Sequence, residues 1–421
     1  MVQSASSAIH SNINRQLQHW DLAINKLSNL NSLASTTAWN GLEKTISDVL
    51  KTHLYATTKE VAALSKNLLH ELSLAKSDED LRRLKRGVLE LRNSYLKAET
   101  TVHFFTDALN TRTNEKISGL LRACDVLCMR SMNDLLIPLK RKSPLVITYL
   151  DKGIGASIMK AGLRLWDGKV SPVAAIKVTY HNLYRPTAII HETGHQVAHI
   201  LGWTEAVSNA FIKQLWDVDR NAASCFSLWT SEIVADVYAF VHTGYAGVAA
   251  LHDVVSSDPQ SVFHFNAKDP HPISYIRVLL NIEFCKLMFG FDGPWINLEM
   301  AFKDAYDINL VPFESVPLVK DCLKQLKKVA EICLLYKYPA FNNKAITEII
   351  DPKRLRKEEL NQLIKDGTEL RLNSHAWVAT HSIELLALSG YKIATQPDKI
   401  KLFSDIQENW MLKLGNVIEL N

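Results

Sequence analysis

The segment Pro186–Leu201 constrains this chain more than any other, because it sets His191-Glu192-Thr193-Gly194-His195 inside an otherwise apolar run. Ala188, Ile189, Ile190, Val197, Ile200 and Leu201 supply the apolar residues. Arg185 and Pro186 mark a start and Gly202 a stop, so the run reads as one helix. Two imidazoles four residues apart share a helix face and can grip one Zn²⁺, with the glutamate between them placed to reach a water on that ion. His199 extends the stripe, but three ligands on successive turns would span about 12 Å at the helical rise, too far for one tetrahedral ion. Its expected place is in the core or behind the ligands.

A third ligand is offered by Ser231-Glu232-Ile233-Val234-Ala235-Asp236-Val237-Tyr238-Ala239. Glu232 and Asp236 fall one turn apart on one helical face. Their neighbours Ile233, Val234, Ala235, Val237 and Phe240 are apolar, and a carboxylate pair in such a setting requires a partner. Glu232 is expected to ligate the metal. Asp236 is expected to accept a hydrogen bond from the second ring nitrogen of a ligating histidine, which fixes the tautomer and raises ligand basicity. The other route, an HxxGxxH continuation from His195, fails: Ala198 holds the glycine position and Leu201 the histidine position.

On these two motifs the chain resembles the gluzincin clan of zinc metallopeptidases. The E-x-x-A-D form of the second is most similar to the CAAX-protease and heat-shock-peptidase branch. Asp269-Pro270-His271-Pro272-Ile273-Ser274-Tyr275-Ile276-Arg277 is similar to the H-P-x-x-x-x-R segment of that branch. The likeness covers residues 145 to 280 or so, and neither the first 140 nor the last 130. It implies a zincin-like core in which His191, His195 and Glu232 hold Zn²⁺ and leave one position open. The ion lowers the pKa of water from ~16 toward ~7. Glu192 is the general base that takes the proton and passes it to the leaving amine of a peptide or protein substrate. His271 is the oxyanion partner, chosen over Tyr275 and Arg277, and Arg277 is its support. Pro172–Tyr180 has strand composition, and the resemblance makes it an edge over the cleft that pairs with extended substrate. A second reading stays open: a metal-bearing, peptidase-like interaction or scaffold protein without turnover, against which the intact Glu192 speaks.

The remainder sets the architecture: mainly α with a small β-sheet, an α+β fold. A helical region over 1–140 and another over 293–421 flank the core at 141–292. Leu145–Leu150 reads as a further strand, and Gly153-Ile154-Gly155 as a turn, since a phosphate loop would end in Lys-Ser/Thr. Ser77-Asp78-Glu79-Asp80 opens a helix whose seam is Leu81, Leu84, Val88, Leu91 and Tyr95. Such helices form a bundle or hairpin that covers the cleft or recruits a protein partner. Phe302–Ala305, Leu318–Leu335 and Leu360–Leu370 read as helices of the last third. In 421 residues, 47% hydrophobic and 22% charged residues belong to a folded chain, and a net charge of +4 gives no ground for a nucleic-acid partner. Arg82, Arg83, Lys85 and Arg86 are expected on a solvated face. No apolar run has bilayer length. Val234–Ala250 and Val278–Phe291 are broken by Asp236, His242, Glu283 and Lys286, and read as core helices. Met1–Gln16 lacks a basic-then-apolar leader, and six scattered cysteines suit reduced core thiols, so a cytoplasmic protein is expected.

Overall fold

The computed structural model describes residues 5–153, 155–366 and 374–416, and helices dominate them beside one small sheet. The mainly helical α+β class is therefore the observed one. The chain divides into two compact units, residues 1–118 with 160–174 and residues 119–159 with 175–421. The expected boundaries near 140 and 292 both fall inside the second unit.

In the first unit α1 (Ala5–Leu27), α2 (Lys44–Leu74) and α3 (Asp78–Asn110) pack pairwise. Ser77 starts α3 through a capping box: its Oγ accepts from the Asp80 N–H, and the Asp80 carboxylate accepts from the Ser77 N–H. Leu81, Leu84, Val88, Leu91 and Tyr95 are all buried along the seam. Arg82, Arg83, Lys85 and Arg86 occupy the exposed face.

The second unit holds the sheet formed by β1 (Leu145–Leu150), β2 (Ser157–Met159) and the last four residues of β3 (Val173–Val178). The order is β1-β3-β2, with β2 antiparallel to β3 in the register Ser157↔Lys177, Ile158↔Ile176, Met159↔Ala175. The expectation of an edge strand at Pro172–Tyr180 is thereby corrected: β3 is the middle strand. Every β3 residue except Lys177 is buried, the continuous apolar pattern of a strand covered on both faces. The short β2 is an edge. Ile154 of the expected turn lies outside the described residues.

Helices α4 (Thr187–Leu201), α5 (Thr230–Thr243), α6 (Tyr245–Val255) and α7 (Ser274–Phe289) build the interior of this unit. Gly202 ends α4 at φ 61°, a left-handed conformation that costs glycine nothing. All of α5 except Ser231 is buried, its polar Glu232, Asp236 and His242 included. Helix α8 (Val316–Leu334) packs on α7, and α9 (Ser382–Thr395) on α5 and α6. The Leu360 helix runs over Lys357–Asp366, and residues 367–373 lie outside those described. All six cysteines are free and buried. Among the described residues no helix is long and apolar enough to cross a membrane. His199 is exposed rather than in the core or behind the ligands: it stands in the last turn of α4, where the helix face turns to solvent.

His242, in the last turn of α5, is fully buried, and its Nδ1 lies 2.8 Å from the Tyr238 carbonyl oxygen. Burial, aided by the Arg354 charge, pushes its pKa down to about 3. The unfolded chain takes up this proton near pH 6.5 and the folded chain does not. Stability attributable to the neutral ring is therefore intact above 6.5 and lost as pH falls from 6.5 toward about 3, by up to about 1.4 kcal/mol per pH unit. Urea melts at about pH 7 and about pH 5 should show a smaller acid loss for His242→Gln than for the wild type. Equal losses would remove His242 from the acid response.

Candidate metal centre

Helix α4 presents His191 and His195 on successive turns, with ring centroids 4.9 Å apart and ring planes at 89°. Helix α5 presents Glu232 in its first turn and Asp236 one turn later. The two helices meet closely because Gly194 lacks a side chain. A Cβ there would stand 3.0 Å from both Ala235 Cα and Tyr238 Cβ, and 3.2 Å from the Ala235 carbonyl oxygen. At this spacing His191 Nε2 lies 3.3 Å from Glu232 Oε2, and His195 Nε2 lies 3.3 Å from Glu232 Oε1. One ligand atom from each of the three residues falls within 4.8 Å of the others, the one such group of His, Cys, Asp and Glu among the described residues.

The other ring nitrogens are engaged. His191 Nδ1 is 2.9 Å from Asp236 Oδ1, and His195 Nδ1 is 3.4 Å from Ser231 Oγ. That leaves both Nε2 atoms turned toward one carboxylate. An imidazole Nε2 meets a carboxylate oxygen either as an N–H donor or, with its lone pair free, across a shared metal ion. Two imidazoles and a carboxylate are a donor set suited to zinc. The residues fit the ion.

A buried ionic network stands behind these donors. Asp236 receives Arg277 Nε and Nη2 at 2.8 Å each, and Asn281 Nδ2 at 3.2 Å, in addition to His191. Asn281 also donates to the Arg277 carbonyl at 3.0 Å. Burial would raise the Asp236 pKa, but the Arg277 charge and the hydrogen bonds outweigh it and bring it to about 2. Burial likewise opposes ionisation of Glu232, yet His191, His195 and Arg277 hold its carboxyl far below the usual range. On His191, burial disfavours the charged ring, and the bonds to Asp236 and Glu232 overcome it, raising the pKa to about 10.

Glu192 is buried and lines a cavity of about 590 Å³ together with His191, Glu232, Asp236, His271 and Arg277. Phe240, Val248 and Leu251 supply apolar wall, and Ala156 approaches from the segment before β2. His271 lies in a loop with its side chain 59% exposed. Asp269 Oδ1 accepts from both its backbone N–H at 3.0 Å and its Nδ1 at 2.5 Å, and its Nε2 stands 3.7 Å from Glu232 Oε2. Tyr275 is buried among aromatic rings, stacked on Phe302 at 5.6 Å. Arg277, expected as support for His271, binds Asp236 and Glu232.

Four residues of the site were not singled out from sequence: Gly194, Ser231, Asp269 and Asn281. Each carried a local signal. Gly194 lies inside the histidine pair, Ser231 adjoins Glu232, Asp269 stands two residues before His271, and Asn281 follows Arg277 by one helical turn. The chain matches no protein-family model, no curated protein and no solved structure.

Gly194→Val should force α4 from α5, lowering stability by about 1–3 kcal/mol and weakening zinc binding at the same time. Urea melts paired with zinc titration check this. A variant that loses stability but keeps wild-type zinc affinity would show that the crossing distance does not set the ligand spacing.

Proposed function

We propose that this protein is a zinc-dependent peptidase that hydrolyses peptide bonds in the cavity between α4, α5 and α6. The observation that carries this reading is the convergence of His191, His195 and Glu232, with Glu192 facing the same cavity. The three converging residues would hold the ion, and they are the residues that the resemblance to gluzincins implies as ligands. Bound zinc would act as a Lewis acid and make water acidic enough to ionise near neutral pH.

Every other step belongs to the chain. Glu192, on the turn between the two histidines, accepts the proton from the attacking water and delivers it to the departing amine. Its burial limits competing solvent and strengthens its electrostatic contacts. Asp269 accepts from His271 Nδ1 and leaves Nε2 near Glu232; as an imidazolium the ring would offer Nε2–H to the carbonyl oxygen of a bound peptide. A positioned donor of this kind lowers the barrier by ~3–4 kcal/mol. An extended substrate pairs its main chain with the free edge of β2, which takes the place the sequence reading gave to β3. Six buried free thiols suit a reducing compartment, and a cytoplasmic setting is part of the proposal.

Glu192→Gln tests the assignment. The zinc-loaded wild type should cut peptides in a diverse mixture, read by sequencing the new ends. The variant should retain its zinc and lose hydrolysis by at least about 100-fold. Undiminished cutting by the variant overturns the role of Glu192. A zinc-loaded wild type that cuts nothing favours the interaction protein.

A further inference from the structure

Arg277 reaches the carboxylate of Glu232, on the oxygen that faces His191. Its Nη2 lies 3.1 Å from Glu232 Oε2 and 3.5 Å from His191 Nε2, while Nε and Nη2 also clasp Asp236. The charges around it explain the need. Glu232, Asp236 and Glu192 are 7%, 5% and 8% exposed, so acidic side chains crowd a poorly solvated space. An uncompensated buried carboxylate is strongly destabilising. Among the described residues, Arg277 is the Lys or Arg side chain that pairs with Glu232 or Asp236. A guanidinium stays charged throughout the working pH range, and its planar fork can serve two carboxylates at once, which a lysine ammonium does less well.

We propose that Arg277 is a resident counter-cation that keeps the metal ligands assembled when no ion is bound, so that zinc uptake is an exchange of cations at Glu232 rather than a folding event. The contact given up is the one between Nη2 and Glu232. The clasp on Asp236 remains, and Asp236 continues to hold His191. Asn281 steadies the pair from behind by bonding both Asp236 and the Arg277 carbonyl. The inference rests on Glu232 as a ligand and does not depend on peptide hydrolysis, so it and the catalytic reading can fail separately.

The contribution of Arg277 must then be larger in the metal-free protein. Without it, stripped protein leaves Glu232 and Asp236 to the two histidines and Asn281 alone, whereas in zinc-loaded protein the ion would also offset the charge of Glu232. Wild type, Arg277→Met and Arg277→Lys are each stripped with a chelator, reloaded with zinc, and followed by far-UV circular dichroism and thermal melting, with bound zinc measured directly. Stripped wild type should keep the helical signal of the loaded form. Zinc should raise Tm by several degrees more in Arg277→Met than in wild type, with Arg277→Lys between them. A packing role would lower both forms alike and leave the zinc-induced rise unchanged, which overturns the proposal, as does a stripped wild type that is unfolded. If Arg277→Met folds in neither form, the rise measured in Arg277→Lys decides by the same comparison. A wild type that takes up no zinc removes the metal site itself and the proposal with it.

Discussion

The close crossing of α4 and α5 at Gly194 is the constraint on which the candidate site depends. Both helices are apolar enough to be buried, and burial brings their polar residues into the interior with them. The crossing would hold a Cβ at Gly194 only in tight contact, at 3.0–3.2 Å from α5, so the helix surfaces touch where His191, His195, Glu232 and Asp236 emerge. Side chains on two rigid, mutually packed helices are held more accurately than side chains on loops. The spacing of the three donor residues therefore follows from backbone packing, and α8 and α9 close round the helices that bear them.

Such an arrangement works against stability taken alone. Ionised carboxylates such as Asp236 and Glu232, at 5% and 7% exposure, are a liability that an apolar core of the same shape would avoid. The network offsets this by giving each charge a partner: Asp236 has Arg277, His191 and Asn281, and Glu232 has both histidines and Arg277. Paired burial of this kind, facing a cavity, is one ground for the function proposed.

The parts of this centre that the sequence made legible are those governed by helical periodicity. His191 to His195 and Glu232 to Asp236 are each one turn, and one turn is visible in a string of letters. The mutual placement of the two turns was inferred from a resemblance, and the distances of 3.3 Å from Glu232 to both rings are what that inference lacked. The order of strands is different in kind. Val173–Val178 has the composition of a strand in any position, and only pairing with β1 on one side and β2 on the other makes it interior. Its unbroken apolar pattern was the available clue, since an edge strand with one wet face alternates. His199 illustrates the converse. It shares the stripe of His191 and His195, yet α4 reaches the surface within its last turn, and periodicity cannot say where a helix leaves the core.

Arg277 shows why a residue's role is harder to read than its membership of a motif. It was placed beside His271 because the two lie in one short segment, six residues apart. In the fold the segment divides: His271 stays in an exposed loop with Asp269, while Arg277 enters α7 and turns to α5. The centre accordingly has two walls of different character. One is built from buried helices and carries the ligands and their counter-charges. The other is a loop that brings His271 to within 3.7 Å of the same carboxylate with most of its side chain in solvent. A substrate entering the cavity would meet the rigid wall already formed, and would itself desolvate the His271 ring, so the loop contact gains strength only when the cavity is filled.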